Sequence, residues 1–236
     1  MDLFYTDFLD YETNTARFDN FESKHILKTM RKKTGDELDF TDGKGNLYHG
    51  WIIKSHPELI VEYKQVTEMP LPRPRISLGI GFIKQTRMDF ILEKGTELGI
   101  SNFCIFASQN SNFYTENISR WQKISRQAIK QSLRFYLPGI KCFKNFSAIT
   151  QHAKDFPYKL IAHQSATETI IHVLSSWGKG PDDDLIVLIG PEGGFTDEEV
   201  KLARDENFTP LSFGKYRLRT ETAAITAAAA INIFRN

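Results

Sequence analysis

At 236 residues, with 41% hydrophobic and 25% charged side chains, the chain has an ordinary soluble globular composition and room for one large domain or two modest ones. A formal net charge of +1 argues against a globally basic nucleic-acid binder, so any polyanion site must be a local patch. No apolar stretch approaches the roughly 20 residues of a membrane span, Met1 to Asp7 does not read as a secretory signal, and Cys104 and Cys142, in strand-like runs without CxxC spacing, suggest buried thiols in a reducing cytoplasm.

Residues 1 to about 66 read as a small β-rich unit. Glu37 to Thr41 and Leu47 to Ile53 flank an Asp42-Gly43-Lys44-Gly45 turn, a hairpin signal with glycines where positive φ is wanted, and a further strand is expected at Leu59 to Tyr63. A short helical segment lies between Glu22 and Lys33, with Ile26, Leu27 and Met30 at core spacing and Lys24, Lys28, Arg31, Lys32 and Lys33 dense around it. That cluster is either a solvated face or a phosphate-contacting patch. Thr67 to Arg75, with Pro70, Pro72 and Pro74, favours an extended linker and marks the domain boundary, giving domains at 1–70 and 75–236.

Beyond the linker, strands near 76–82, 103–107, 158–162, 185–189 and 210–213 alternate with helices near 87–98, 118–135, 147–154, 167–175, 197–206 and 221–234. This alternation predicts an α/β domain with a parallel sheet. Gly99 is placed to end the first of these helices. In the helix over 118–135, Arg120, Lys123, Arg126, Lys130 and Arg134 share a stripe of about 120°, unrelieved by any acid, while Ile118, Trp121, Ile124, Ala128 and Leu133 fill the opposite side. The stripe is open to two readings, a face toward nucleic acid or an ordinary solvated face.

The chemistry concentrates in two stretches. Leu185 to Ile189 is an unbroken apolar run, suited to a strand buried on both faces, and it ends in Gly190-Pro191-Glu192-Gly193-Gly194. Thr196 and Glu199 then form a capping box, with Asp197 and Glu198 in the first helical turn. The turn lacks the Gly-Lys-Ser/Thr of a phosphate loop, and no GxGxxG fingerprint is present elsewhere. What remains is a turn at the carboxyl end of a buried strand, where open α/β sheets bind ligands, with glycines that let backbone NH and C=O groups approach directly. Downstream, Leu211 to Ala224 repeats the pattern of strand, glycine turn and helix, and both turns should lie at the same sheet edge. Ala223, Ala224 and Ala227 to Ala230 make the last helix slim, permitting close approach to the sheet or to a second subunit. Glu221 is a catalytic candidate with a structural alternative, since Thr220 can cap this helix and an acid in its first turn is favourable. The six histidines show no metal-ligand spacing, and no metal site is expected.

Ile189-Gly-Pro-Glu-Gly-Gly-Phe195 together with Arg217-Leu-Arg-Thr-Glu-Thr-Ala-Ala224 resembles the ribosomal RNA small-subunit methyltransferase E family, and the resemblance extends over nearly the whole chain. His25 to Arg31 followed by Gly35-Asp36 and Asp42-Gly43 resembles the family's N-terminal PUA-like β-barrel. Lys84, Arg87-Met88-Asp89, Glu97-Leu98-Gly99, the Arg120 to Arg134 helix and Pro138 are similar to the start of its catalytic domain. The resemblance implies a SPOUT-type α/β domain with a parallel sheet and a C-terminal trefoil knot, methylation of N3 of a uridine in 16S rRNA with S-adenosylmethionine, a homodimer, and a cytoplasmic enzyme whose partner is 16S rRNA or the small ribosomal subunit. It implies a cofactor pocket lined by Ile189, Gly190, Pro191, Gly193, Gly194, Phe213, Gly214, Leu218, Arg219 and Thr220.

For the reaction, Arg219 is the first candidate to stabilise a developing uracil anion, with Glu192 and Glu221 as weaker candidates for proton removal. The RNA-binding candidates are Lys24, Lys28, Arg31, Lys84, Arg87, Lys123, Arg126, Lys130 and Arg134. One departure stands out: the family commonly carries Ser-Glu-Arg where this chain has Ser108-Gln109-Asn110. A SPOUT enzyme for another RNA target, or a non-catalytic RNA-binding or ribosome-assembly protein, would share some of these features. The assembly protein, however, would not need both glycine turns.

Overall fold

The computed structural model describes residues 2–177 and 183–235. The chain divides into two compact units, Met1–Leu71 with Arg126–Leu137, and Pro72–Ser125 with Pro138–Asn236.

The first unit holds a six-stranded sheet in the order β1-β4-β5-β6-β3-β2, made of β1 (Leu3–Tyr5), β2 (Phe8–Asp10), β3 (Thr15–Arg17), β4 (Glu37–Thr41), β5 (Asn46–Lys54) and β6 (Ile60–Glu68). The expected hairpin is β4–β5. Gly43 and Gly45 take φ of 73° and 100°, and the buried Asp42 carboxylate accepts from Lys44 N at 2.8 Å, Asn46 Nδ2 at 2.8 Å and the Tyr48 hydroxyl at 3.2 Å. The expected third strand is longer than its apolar part, running as β6 to Glu68, so the proline-rich stretch begins two residues later than the sequence reading has it. Phe40 centres the core, stacked on Tyr48 and edge-on to Phe18 and Tyr63. The helical segment is α1 (Asn20–Lys24) continued by a π-helical turn over His25–Thr29.

Residues 126–137 complete this unit. Gly45 N donates to Phe135 O and Leu137 N to Gly43 O, both at 2.8 Å, and a Cβ on Gly45 would sit 2.2 Å from the Tyr136 ring. The hairpin glycines therefore serve close packing as well as positive φ.

The second unit is a parallel sheet ordered β12-β10-β11-β7-β8-β9. In chain order it comprises β7 (Ile76–Gly81), α2 (Gln85–Glu97), β8 (Asn102–Phe106), α3 (Ile118–Gln131, its end lying in the first unit's segment), β9 (Gly139–Phe143), α4 (Phe146–His152), β10 (Tyr158–Ala162), α5 (Ile170–Ser176), β11 (Leu185–Ile189), α6 (Asp197–Asp205), β12 (Thr209–Leu211) and α7 (Thr220–Arg235). β11 is central and wholly buried, as its unbroken apolar run requires. Its alternate side chains feed two cores. Leu185, Val187 and Ile189 face α2, α5 and α7, while Ile186 and Leu188 face α4 and α6. The alanines of α7 lie directly on the first of these faces.

Two expectations change in detail, and two hold. β9 was not anticipated, because an edge strand reading Gly-Ile-Lys-Cys-Phe has no continuous apolar signal. α3 stops at Gln131, and Leu133 has φ of 52° and is 43% exposed, so it is no part of an apolar helix face. Arg134 likewise lies beyond the helix. Gly99 ends α2 at φ 86°, and the Thr196–Glu199 capping box is present in both directions.

Candidate active site

The turns following β11 and β12 lie side by side at the carboxyl edge of the sheet, joined by a hydrogen bond from Thr220 Oγ1 to Gly190 O at 3.1 Å. Thr220 thus ties the turns together with the hydroxyl that could have capped α7. Between the turns is a cavity of about 750 Å³ lined by all ten residues of the expected cofactor pocket, and also by Glu192, Tyr216 and Arg217 from the same two turns. The volume is that of a small-molecule site. Its walls combine the apolar Ile189, Phe213, Leu218 and Ala223 with backbone from the glycine turn.

The sequence reading missed the third wall, Ala162 at the end of β10 with His163 and Gln164 after it. His163 read as one of several isolated histidines, yet its backbone N bonds Leu211 O at 2.8 Å and its Nδ1 pairs with Ser165 Oγ at 2.8 Å. Strand order, invisible in the sequence, brings this loop beside β12. Gly81 was also missed. A Cβ there would stand 2.6 Å from Pro191 Cδ and 2.8 Å from Pro191 N, so the strand passes directly beneath the turn.

Charge enters the cavity through Arg87 on α2. Its Nη1 lies 2.9 Å from Glu192 Oε1, and its Nε 3.7 Å from Glu221 Oε1. Arg87, grouped above with the RNA-binding candidates, is therefore bracketed by both candidate proton acceptors. Glu192 lines the cavity and Glu221 does not. Glu192 Oε2 and Glu221 Oε2 are buried without a hydrogen-bond partner among the described residues. Arg219 lines the cavity and is exposed. The carbonyls of the turn are engaged within the chain: Pro191 O accepts from Gly194 N at 2.8 Å and Glu192 O from Arg217 Nη2 at 3.1 Å. Asn110 Nδ2 donates to Gly193 O and Gly194 O.

The basic stripe of α3 is not free of acids once the chain is folded. Arg120 pairs with Asp89 at 2.8 Å, Arg126 with Asp7 at 3.3 Å, and Lys130 with Glu22 at 2.6 Å. These acids are distant in sequence, which is why the helical count did not include them. Lys130 and Glu22 are 15% and 6% exposed, an ion pair of the first unit's interior. Arg134 is partly buried, with its guanidinium pKa lowered by that burial. Lys24, Lys28, Arg31, Lys84 and Lys123 are exposed.

An RNA methyltransferase domain model matches residues 69–232 and an RNA methyltransferase PUA domain model matches residues 18–62. Ribosomal RNA small subunit methyltransferase E of Mesomycoplasma hyopneumoniae is 32% identical over 87% of this chain and 88% of its own length. Its Bacillus subtilis counterpart is 28% identical over 94% and 91%. Among solved structures, a Legionella pneumophila protein described as a methyltransferase and solved with S-adenosylmethionine superposes with a TM-score of 0.84 at 26% identity, covering 98% of this chain and 96% of that one. A Porphyromonas gingivalis protein described as an rRNA methyltransferase gives 0.86 at 31% identity, covering 100% and 98%.

Proposed function

This chain belongs to the RNA methyltransferase family, and from that premise we propose that it transfers a methyl group from S-adenosylmethionine to N3 of a uridine in 16S rRNA of the small ribosomal subunit. The observation that carries the proposal is the convergence of both glycine turns on one cavity whose rim holds a carboxylate braced by Arg87.

The residues present fit the cofactor. Ile189, Phe213 and Leu218 would hold its adenosyl part, alongside backbone from Gly190 to Gly194. Bound there, S-adenosylmethionine supplies an electrophilic methyl group on a positively charged sulfur.

The protein's own task is to prepare N3 as a nucleophile, since at neutral pH the uracil imide carries its proton. Glu192, on the cavity wall, is the residue suited to take that proton; Arg87 holds its Oε1, and its Oε2 has no hydrogen-bond partner among the described residues. Arg219, exposed on the cavity wall, is suited to stabilise the charge that develops on the uracil oxygens. Glu221 acts through Arg87 rather than at the substrate, because it does not line the cavity. The exposed Lys24, Lys28, Arg31, Lys84 and Lys123 are the RNA-contacting cations that remain after the ion pairs are counted.

The same reading includes a knotted C-terminal segment, a cytoplasmic enzyme and a homodimer. Light scattering at several concentrations checks the homodimer. Mass spectrometry of 16S rRNA from cells with and without the gene tests the function. Loss of one N3-methyluridine, restored by the gene, is expected, and unchanged rRNA would overturn the assignment.

A further inference from the structure

We infer that Asn110, in the loop after β8, is a positioning residue for the cofactor wall, fixing the conformation of Gly193 and Gly194 by donating to both of their carbonyls. The inference rests on the reading of the cavity as the S-adenosylmethionine site.

The carbonyls of the glycine turn are held in two groups. Gly190, Pro191 and Glu192 use donors from the turn itself or from the stretch after β12, namely Thr220, Gly194 and Arg217. Gly193 and Gly194 instead share the Asn110 amide, whose Nδ2 lies 3.3 Å from Gly193 O and 3.2 Å from Gly194 O. An amide nitrogen has two hydrogens, enough for both carbonyls. Gly194 has φ of 73°, so this part of the turn occupies a region from which a glycine readily departs when nothing holds it.

Asn110 can act as a clamp because its own position is fixed. Ser108 Oγ donates to the buried Glu199 carboxylate at 2.9 and 3.0 Å, and Gln109 N donates to it at 3.0 Å. Ser111 N closes the loop on Ser108 O at 3.0 Å. Glu199 is also the third residue of α6 and receives Thr196 N in the capping box. One carboxylate therefore joins the loop after β8 to the start of α6, and Asn110 reaches from that anchor to the glycines just before it. The fit is close, since a Cβ on Gly193 would lie 2.8 Å from Asn110 Cβ.

The chain has Ser108-Gln109-Asn110 where the resembled pattern is Ser-Glu-Arg. Backbone NH at Gln109 and the neutral amide at Asn110 make the contacts, without a charged side chain at either position.

The test compares wild type, Asn110→Ala and Asn110→Asp by calorimetric titration with S-adenosylmethionine, by amide hydrogen exchange of the free proteins, and by steady-state methylation. Asn110→Ala is expected to weaken cofactor binding about three- to ten-fold, the scale of one or two neutral hydrogen bonds. Its cofactor KM should rise while kcat at saturation holds. Asn110→Asp should bind more weakly still, because a carboxylate would face two carbonyl oxygens. In both variants exchange should accelerate at Gly193 to Phe195 and remain unchanged in β11. A wild-type protein that fails to bind S-adenosylmethionine would overturn the reading of the cavity. Variants that bind as tightly as a binding wild type, or exchange unaltered at Gly193 to Phe195 whatever the binding result, would overturn the role given to Asn110.

Discussion

Arg87 Nη1 stands 2.9 Å from Glu192 Oε1 while Arg87 Nε faces Glu221 at 3.7 Å, so one guanidinium on α2 bridges an acid from each glycine-turn motif. The planar fork presents donors in two directions at once, which an ammonium on a flexible stem does not reproduce. Arg87→Lys is therefore expected to lower single-turnover methylation at saturating cofactor about ten-fold or more, equivalent to about 1.4 kcal/mol. Arg87→Ala should do worse, leaving two carboxylates without their shared cation. Wild-type rates in Arg87→Lys would show that a point charge suffices and that the fork is not used.

Lys130 and Lys123 share a helix face in the sequence but have different tasks in the fold. Lys130 Nζ meets Glu22 Oε2 at 2.6 Å, and the other Glu22 oxygen accepts Tyr5 N at 3.0 Å. Removing the lysine leaves a buried carboxylate half-compensated, so Lys130→Ala should lower unfolding free energy by about 3 kcal/mol, measured by urea denaturation. Lys123 is exposed, and Lys123→Glu should leave stability within about 0.5 kcal/mol. In an RNA-binding titration it should weaken affinity and flatten the dependence on salt. Equal salt slopes for Lys123→Glu and wild type would return Lys123 to a solvated face.

The contrast shows what the sequence can carry. β11 was legible because a strand buried on both faces needs five apolar residues in succession, and α6 because its cap is local chemistry between Thr196 and Glu199. Both cavity turns were legible for the same reason, as short motifs at strand ends. The acids that neutralise α3, the bridge from Arg87 to two distant glutamates and the wall at His163 depend on which strands become neighbours. No local pattern encodes that order. The first unit's second segment, 126–137, was hidden in the same way, since its bonds to Gly43 and Gly45 join residues about 90 positions apart. β1, β2 and β3, three residues each, are too short to show alternation.

Gly81 provides a test of the cavity floor. A methyl group there would press on Pro191 Cδ and N at 2.6 and 2.8 Å, and backbone cannot yield as a side-chain tip can. Gly81→Ala should displace the start of the glycine turn, costing about 1–3 kcal/mol in stability or in cofactor binding. Calorimetry and thermal unfolding together measure it. A variant with wild-type melting temperature and affinity would mean the turn shifts without consequence.

The cysteines should be inert in the native state. Burial pushes the Cys104 thiol up to about 12, with Lys141 only partly opposing it, and the Cys142 thiol up to about 11. The thiolate is the reactive form. Iodoacetamide at pH 8 is expected to label neither residue appreciably in the folded protein and both in urea, as read by intact mass. Rapid native labelling of Cys104 would contradict its burial.

Acid sensitivity should concentrate at the start of the parallel sheet. Arg75 and Asp184 stand just before β7 and β11, and the aspartate accepts Arg75 N at 2.9 Å and Arg75 Nε at 2.8 Å. Burial alone would raise the Asp184 pKa, but the hydrogen bonds and charge of Arg75 outweigh it and hold the carboxyl below its ordinary value of 3.8. A carboxyl depressed on folding contributes stability that is fully present above the unfolded-state value and disappears as pH falls through the lower folded-state value. Asp184→Asn should therefore lower the melting temperature at pH 7, and the deficit should shrink below about pH 4, as the carboxylate of the unfolded wild-type chain begins to protonate before that of the folded one. Melting curves of both proteins between pH 7 and pH 2.5 measure the difference. A deficit that stays constant across that range would show that Asp184 contributes through hydrogen bonds an asparagine cannot reproduce, and not through its charge.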